Sequence, residues 1–158
     1  MTESGKSTLA KRLSHSLGGK GRQVLLLDEI GDPDFYANFR TADPDMFLRV
    51  YWANQSCFSF IDEAGEAVGR YDDAMRETAT RGRQHGHSNI YISQRGAQLN
   101  ATVRAQCRHL WLFTSAADDC KILAKEFNCP ELIQAAGLPA GSYLHKTKHG
   151  ALERGKVF

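Results

Sequence analysis

The chain has 158 residues, enough for one domain with a real core. Hydrophobic residues make up 42% and charged residues 24%, and no apolar run approaches the roughly 20 residues of a membrane span. The net charge is only +2, so bulk charge gives no support to nucleic-acid binding, which would need a local basic patch.

The N-terminus lacks the basic region and apolar stretch of a signal peptide, so the expected location is the cytoplasm. Cys57, Cys107, Cys120 and Cys129 form no close Cys-x-x-Cys pair, which argues against zinc. In a reducing compartment they are expected to be reduced and mostly buried.

In chain order, Ser7 to Leu17 predicts a helix with Leu9, Leu13 and Leu17 on one face, stopped by the Gly18–Gly21 stretch. Gln23 to Asp28 reads as a buried parallel strand, and Gly31 to Pro44 as loop. Asp45 to Ala53 reads as helix, Cys57 to Asp62 as a second strand, and Asp72 to Gln84 as an arginine-rich helix. Ser88 to Ser93 and His109 to Thr114 are further strands, with a helix between them over Leu99 to Cys107. Ala116 to Phe127 predicts an amphipathic helix with Ile122, Leu123 and Phe127 inward, followed by a short helix over Glu131 to Ala136. The tail from Gly141 predicts a β-hairpin turning at Lys148-His149-Gly150. Alternating strands and helices imply an α/β domain with a mainly parallel sheet flanked by helices.

That setting suits the opening stretch, TESGKST. The phosphate-binding P-loop pattern is G-x-x-x-x-G-K-[ST], and Gly5, Lys6 and Ser7 complete it. Its backbone N–H groups and helix N-terminus cradle phosphates. Ser4, Gly5, Lys6, Ser7 and Thr8 are therefore the expected nucleotide-binding residues. Lys6 would neutralise the β- and γ-phosphates, and Ser7 would ligate Mg²⁺. The competing reading is a surface helix capped by Ser4. The pattern's first glycine would precede Met1, as would the strand that leads into it. We therefore expect a single P-loop domain over 1–158 that is N-terminally truncated at Met1 and lacks its first strand.

A P-loop NTPase also needs an aspartate at the end of another apolar strand. Asp28-Glu29 and Asp62-Glu63 both qualify, and we favour Asp62 for Mg²⁺ and Glu63 for polarising the attacking water. Gln94 follows the third strand, on the side where open α/β sheets bind ligands, and would sense the γ-phosphate or orient water. Arg81 and Arg83, then Arg95, are the arginines ranked as fingers reaching a neighbour's site. His85 and His87 invite a metal reading, against the plainer one of solvated loop histidines.

The order GKST, FIDEAG, RGRQHGHSNIYISQR, together with the closing LPAGSYLHKT, resembles the FtsK–HerA superfamily of P-loop motor ATPases. It is similar to small phage packaging-ATPase and Zot-like proteins over nearly the whole chain. The resemblance implies ATP hydrolysis with Mg²⁺, and a homo-oligomeric ring, commonly a hexamer, acting on double-stranded DNA in packaging or translocation. The location would then be the host cytoplasm. DNA contact would come from loops near Arg40, Arg49 or Arg70. Two other functions stay open: a small-molecule or nucleotide kinase with Asp28 on the acceptor, and a nucleotide-binding, non-catalytic subunit of a phage assembly.

Overall fold

The computed structural model of the chain describes residues 5–62 and 70–158, with side chains resuming at residue 73. Helix α1 (Lys6–Gly19) leads into strand β1 (Val24–Leu27). All four β1 residues are buried, as a central parallel strand requires. Their side chains alternate between two cores. Val24 and Leu26 join Ala10, Phe35 and Phe60 on the α1 side. Leu25 and Leu27 join Phe47, Tyr51, Cys57, Ile61 and Met75 on the other.

The segment read as loop contains a short strand, β2 (Phe39–Thr41), which pairs parallel to β1. Three half-exposed residues are too few to carry a periodic signal. Helix α2 (Pro44–Ala53) follows, with the Asp43 side chain accepting the Asp45 N–H as its N-cap. Strand β3 (Phe58–Ile61), helix α3 (Arg70–Arg81), a 3-10 turn (Gly82–His85) and strand β4 (Ser88–Tyr91) complete a parallel sheet of order β2-β1-β3-β4.

Helix α4 (Ala101–Gln106) leads to strand β5 (His109–Leu112) and helix α5 (Ala117–Glu126). A 3-10 segment (Pro130–Gly137) stands where a short α-helix was expected. The expected hairpin forms from β6 (Ser142–Thr147) and β7 (Leu152–Lys156). With β5 it makes an antiparallel sheet of order β5-β6-β7. Leu112, Leu123, Phe127, Leu132 and Leu144 fill a third core between this sheet, α5 and the 3-10 segment.

The Gly18–Gly21 stretch stops α1 as expected, with Gly19 its last residue and Gly18 packing its bare Cα against the Tyr36 ring. One sequence expectation needs correction. Ile122 does not face inward but is exposed. The buried face of α5 is set by Cys120, Leu123, Ala124 and Phe127, and Ile122 lies about 200° round the helix from Cys120.

The sheet is divided. Among the described residues β4 and β5 each end their sheet, with one edge lacking a strand partner. The start of α1 bridges the two at their carboxyl ends. Lys6 Nζ donates to the Gln94 carbonyl just past β4, and Gly5 packs on Phe113 just past β5. Among the described residues, no helix is long and apolar enough to cross a membrane.

Candidate nucleotide site

The amino end of α1 is the first component. Gly5 is its N-cap, with φ 103°, a left-handed conformation that L side chains rarely adopt. A Cβ there would also lie 2.6 Å from Val157 Cγ2 and 2.8 Å from Phe113 Cε1. Glycine is thus demanded twice, by dihedral and by space. Gly5 has no side chain to cap the helix, and the first turn holds no acidic residue. The N–H groups of its first turn, at Lys6, Ser7 and Thr8, have no intrahelical acceptors, and the macrodipole adds positive potential. Ser4, the cap expected on the competing reading, lies outside the described residues.

The parallel strands deliver the second component. Lys6 Nζ is 3.2 Å from the Gln94 carbonyl oxygen, so the P-loop lysine meets the end of β4. Asp62 ends β3, with its N–H bonded to the Leu27 carbonyl at 3.0 Å. Gly5, Lys6, Ser7, Thr8, Asp62 and Gln94 therefore gather at the carboxyl ends of the strands. Ser7 is exposed there and Lys6 and Thr8 are half-buried. Glu63, the expected base, lies outside the described residues.

Asp28, the rival acid, is committed elsewhere. It is buried, and its two carboxylate oxygens accept the N–H groups of Ile30 (3.0 Å) and Asp32 (2.6 Å). It shapes the turn after β1.

Arg95 follows Gln94 and forks onto Asp119 of α5, with Nε and NH2 each 2.9 Å from a carboxylate oxygen. The Asp119 side chain is only 3% exposed. The hydrogen bonds from Arg95 hold its carboxyl below the ordinary aspartate value, against the opposing pull of burial. Gly96 packs on Leu123 beside it. Arg95 thus holds the end of β4 against α5 in its own chain, rather than extending as a free finger. No sequence signal announced this pairing, since its partners are 24 residues apart.

Arg81 and Arg83 are placed at the opposite end. Both are exposed, near the amino end of β4, one strand length from Lys6. Arg81 lines a cavity of about 380 Å³ with Trp52, Glu77, Gln84 and His85. The structure does not bring them to the chain's own phosphate end. Arg40 is likewise committed, donating to the carbonyls of Asp32 (2.7 Å) and Phe35 (2.6 Å), while Arg49 is exposed.

The RGRQHG stretch has a packing explanation that sequence reading missed. A Cβ on Gly82 would lie 2.0 Å from the Tyr51 hydroxyl, which bonds the Thr78 carbonyl and Asn89. Burial pushes the Tyr51 hydroxyl up to about 12, so it stays a neutral donor. His87 is buried, not solvated. Its Nδ1 accepts the Cys57 N–H (3.1 Å) and its Nε2 donates to the Tyr51 carbonyl (2.9 Å). Both ring nitrogens are used, and among the described residues no group of three or more His, Cys, Asp or Glu could hold a metal.

No family model matches the chain, and no curated protein matches it. Solved structures do. The DNA-packaging ATPase B204 of Sulfolobus turreted icosahedral virus superposes with a TM-score of 0.77 at 18% identity, over 98% of this chain and 92% of that one. The genome packaging NTPase B204 of Sulfolobus turreted icosahedral virus 2, in complex with ATP-gammaS, gives 0.73 at 17% identity, over 97% and 92%. VirB4 of Thermoanaerobacter pseudethanolicus gives 0.53 at 18% identity, over 79% of this chain but 41% of its own. Identities this low speak to architecture alone, and with the GKST helix start at the strand ends they establish a P-loop NTPase fold, a mainly parallel sheet flanked by helices.

Proposed function

We propose that the chain is an ATP-hydrolysing motor-type ATPase of the FtsK–HerA kind that works on double-stranded DNA as a ring of identical subunits. The observation that carries the reading is the left-handed Gly5 N-cap of α1, with Lys6 placed against the end of β4. The likeness to viral genome-packaging NTPases supports packaging or translocation as the task.

The residues present fit ATP with Mg²⁺. The Gly5 cradle excludes even a methyl group, and the first turn of α1 directs its N–H groups away from the helix's own carbonyls. Lys6, Ser7 and Thr8 would hold the phosphates, and Ser7 with Asp62 would hold the ion. Mg²⁺ supplies neutralisation of phosphate charge when bound. Lys6 would meet a phosphate oxygen beside the Gln94 carbonyl, so nucleotide binding and the position of the β4 end would be linked. Glu63 would accept a proton from the attacking water, and Gln94 would orient that water. Arg81 and Arg83, remote from Lys6 in their own chain, would serve only across a subunit boundary.

Mg²⁺-dependent phosphate release, measured with and without duplex DNA, tests this. Duplex should stimulate release. Glu63→Gln should abolish turnover and keep nucleotide binding, and Lys6→Ala should weaken binding at least tenfold. Phosphate transfer only on addition of an acceptor would select the kinase. Binding without turnover in the unaltered chain would select the non-catalytic subunit.

A further inference from the structure

The antiparallel sheet has two unlike faces. Leu110, Leu112, Leu144 and Leu152 point to the core under α5. The other face carries His109, Trp111 and Phe113 on β5, Tyr143 and His145 on β6, and Glu153 on β7. Phe113 is buried beneath Gly5, but Trp111 is 36% exposed.

Three of these rings form one stack. Trp111 lies parallel to His145, with centroids 4.5 Å apart and 8° between planes, and to His109 at 5.4 Å and 13°. The two imidazoles are themselves 5° from coplanar. They are joined edge to edge, His109 Nδ1 to His145 Nε2 at 3.1 Å. His145 Nδ1 meets a Glu153 carboxylate oxygen at 3.3 Å. An ionised carboxylate only accepts, so His145 Nδ1 carries the proton and His145 Nε2 accepts from His109. The chain of bonds fixes both rings, and the rings fix the indole.

Cations edge this stack. Arg108 precedes His109 and is exposed, and Lys148 and His149 form the tip of the neighbouring hairpin. Lys148 donates to the Ala105 carbonyl, which holds the tip beside the start of β5. A rigid, half-open indole in a stack whose His109 end carries Arg108 and Lys148 matches a ligand that is flat at one point and anionic at the next. Unpaired nucleotides have both properties: a π-face to stack and a phosphate to pair.

We propose that the Trp111–His145–His109 face binds single-stranded nucleic acid, with a base stacked on Trp111 and backbone phosphates at Arg108 and Lys148. The surface is separate from the nucleotide site and does not rest on that reading, since its assay contains no ATP.

The probe is a fluorescent 15-mer of deoxythymidine at low salt, in a Trp52→Phe background where Trp111 is the remaining tryptophan. Binding should quench Trp111 emission. Trp111→Ala should weaken it about tenfold, the order expected for losing one stacked base, and Trp111→Phe should recover most of the affinity. Arg108→Gln should lower the salt slope by about one. Circular dichroism confirms that each variant is folded. Absence of quenching, unchanged affinity in Trp111→Ala, or equally tight binding of a 15-base-pair duplex would overturn the proposal. So would sedimentation showing that Trp111→Ala instead dissolves a dimer, because a second copy would then be the occupant.

Discussion

At Gly82 a single hydrogen in place of a methyl group lets the Tyr51 hydroxyl reach Thr78 and Asn89. Gly82→Ala would force the buried Tyr51 ring aside and is expected to cost about 1–3 kcal/mol in urea unfolding. Tyr51→Phe in the same background should recover part of that loss by removing the clashing oxygen. His87→Ala leaves the Cys57 N–H and the Tyr51 carbonyl without partners, at about 1–3 kcal/mol for each buried group. Burial also pushes the thiols of Cys57, Cys107, Cys120 and Cys129 up. A disulfide reagent at pH 8 should therefore label the folded chain slowly, Cys107 first as the one cysteine not fully buried. All four should react quickly in denaturant. The arginine-glycine motif was legible as a signal, but its meaning was not. The Gly82–Tyr51 approach joins residues 31 positions apart, and no local pattern records it.

Between elements, the Arg95–Asp119 fork ties the end of β4 to the first turn of α5. Asp119 is held below its ordinary value of 3.8 in the folded chain. The pair's contribution is thus complete above that value and is lost as pH falls through the lowered one. Arg95→Gln should lower the melting temperature by several degrees at pH 7, and by progressively less as pH falls below the ordinary aspartate value of 3.8. If the difference is flat with pH, Arg95 acts through packing alone. Lys6 makes a second tie between elements, from α1 to Gln94. Strand positions were readable because β1 and β3 are continuous apolar runs buried on both faces. Strand β2 was not, because its three residues owe their conformation to pairing with β1. The same limit applies to the site. The placement of Lys6, Asp62 and Gln94 at one end was readable because a parallel sheet brings all strand ends to one side. The Arg95–Asp119 pair was not, because a surface arginine's partner is a tertiary fact.

For the molecule as a whole, the proposed ring is what would give Arg81 and Arg83 a role, because both lie far from Lys6 in their own chain. Residues at the amino ends of the strands cannot serve the carboxyl ends of the same sheet. Their replacement by alanine should leave nucleotide affinity of isolated subunits unchanged within about twofold, and should reduce turnover only where subunits assemble. Titrating inactive Lys6→Ala subunits into active ones would check this, since shared sites lose activity faster than the mixing fraction predicts. The division of the sheet has a different consequence. Two cores lie around β1 and β3 and a third lies around α5 and β6. Among the described contacts, what joins them is the start of α1, the Arg95 fork, the Gly96–Leu123 packing and the meeting of α3 with α4. Amide protons of β1 and β3 should exchange with one common free energy, and those of β6 and α5 with another. A ligand that grips the start of α1 should draw the two values together, so that exchange rates far from the phosphates report whether the halves of the protein open as one body or as two.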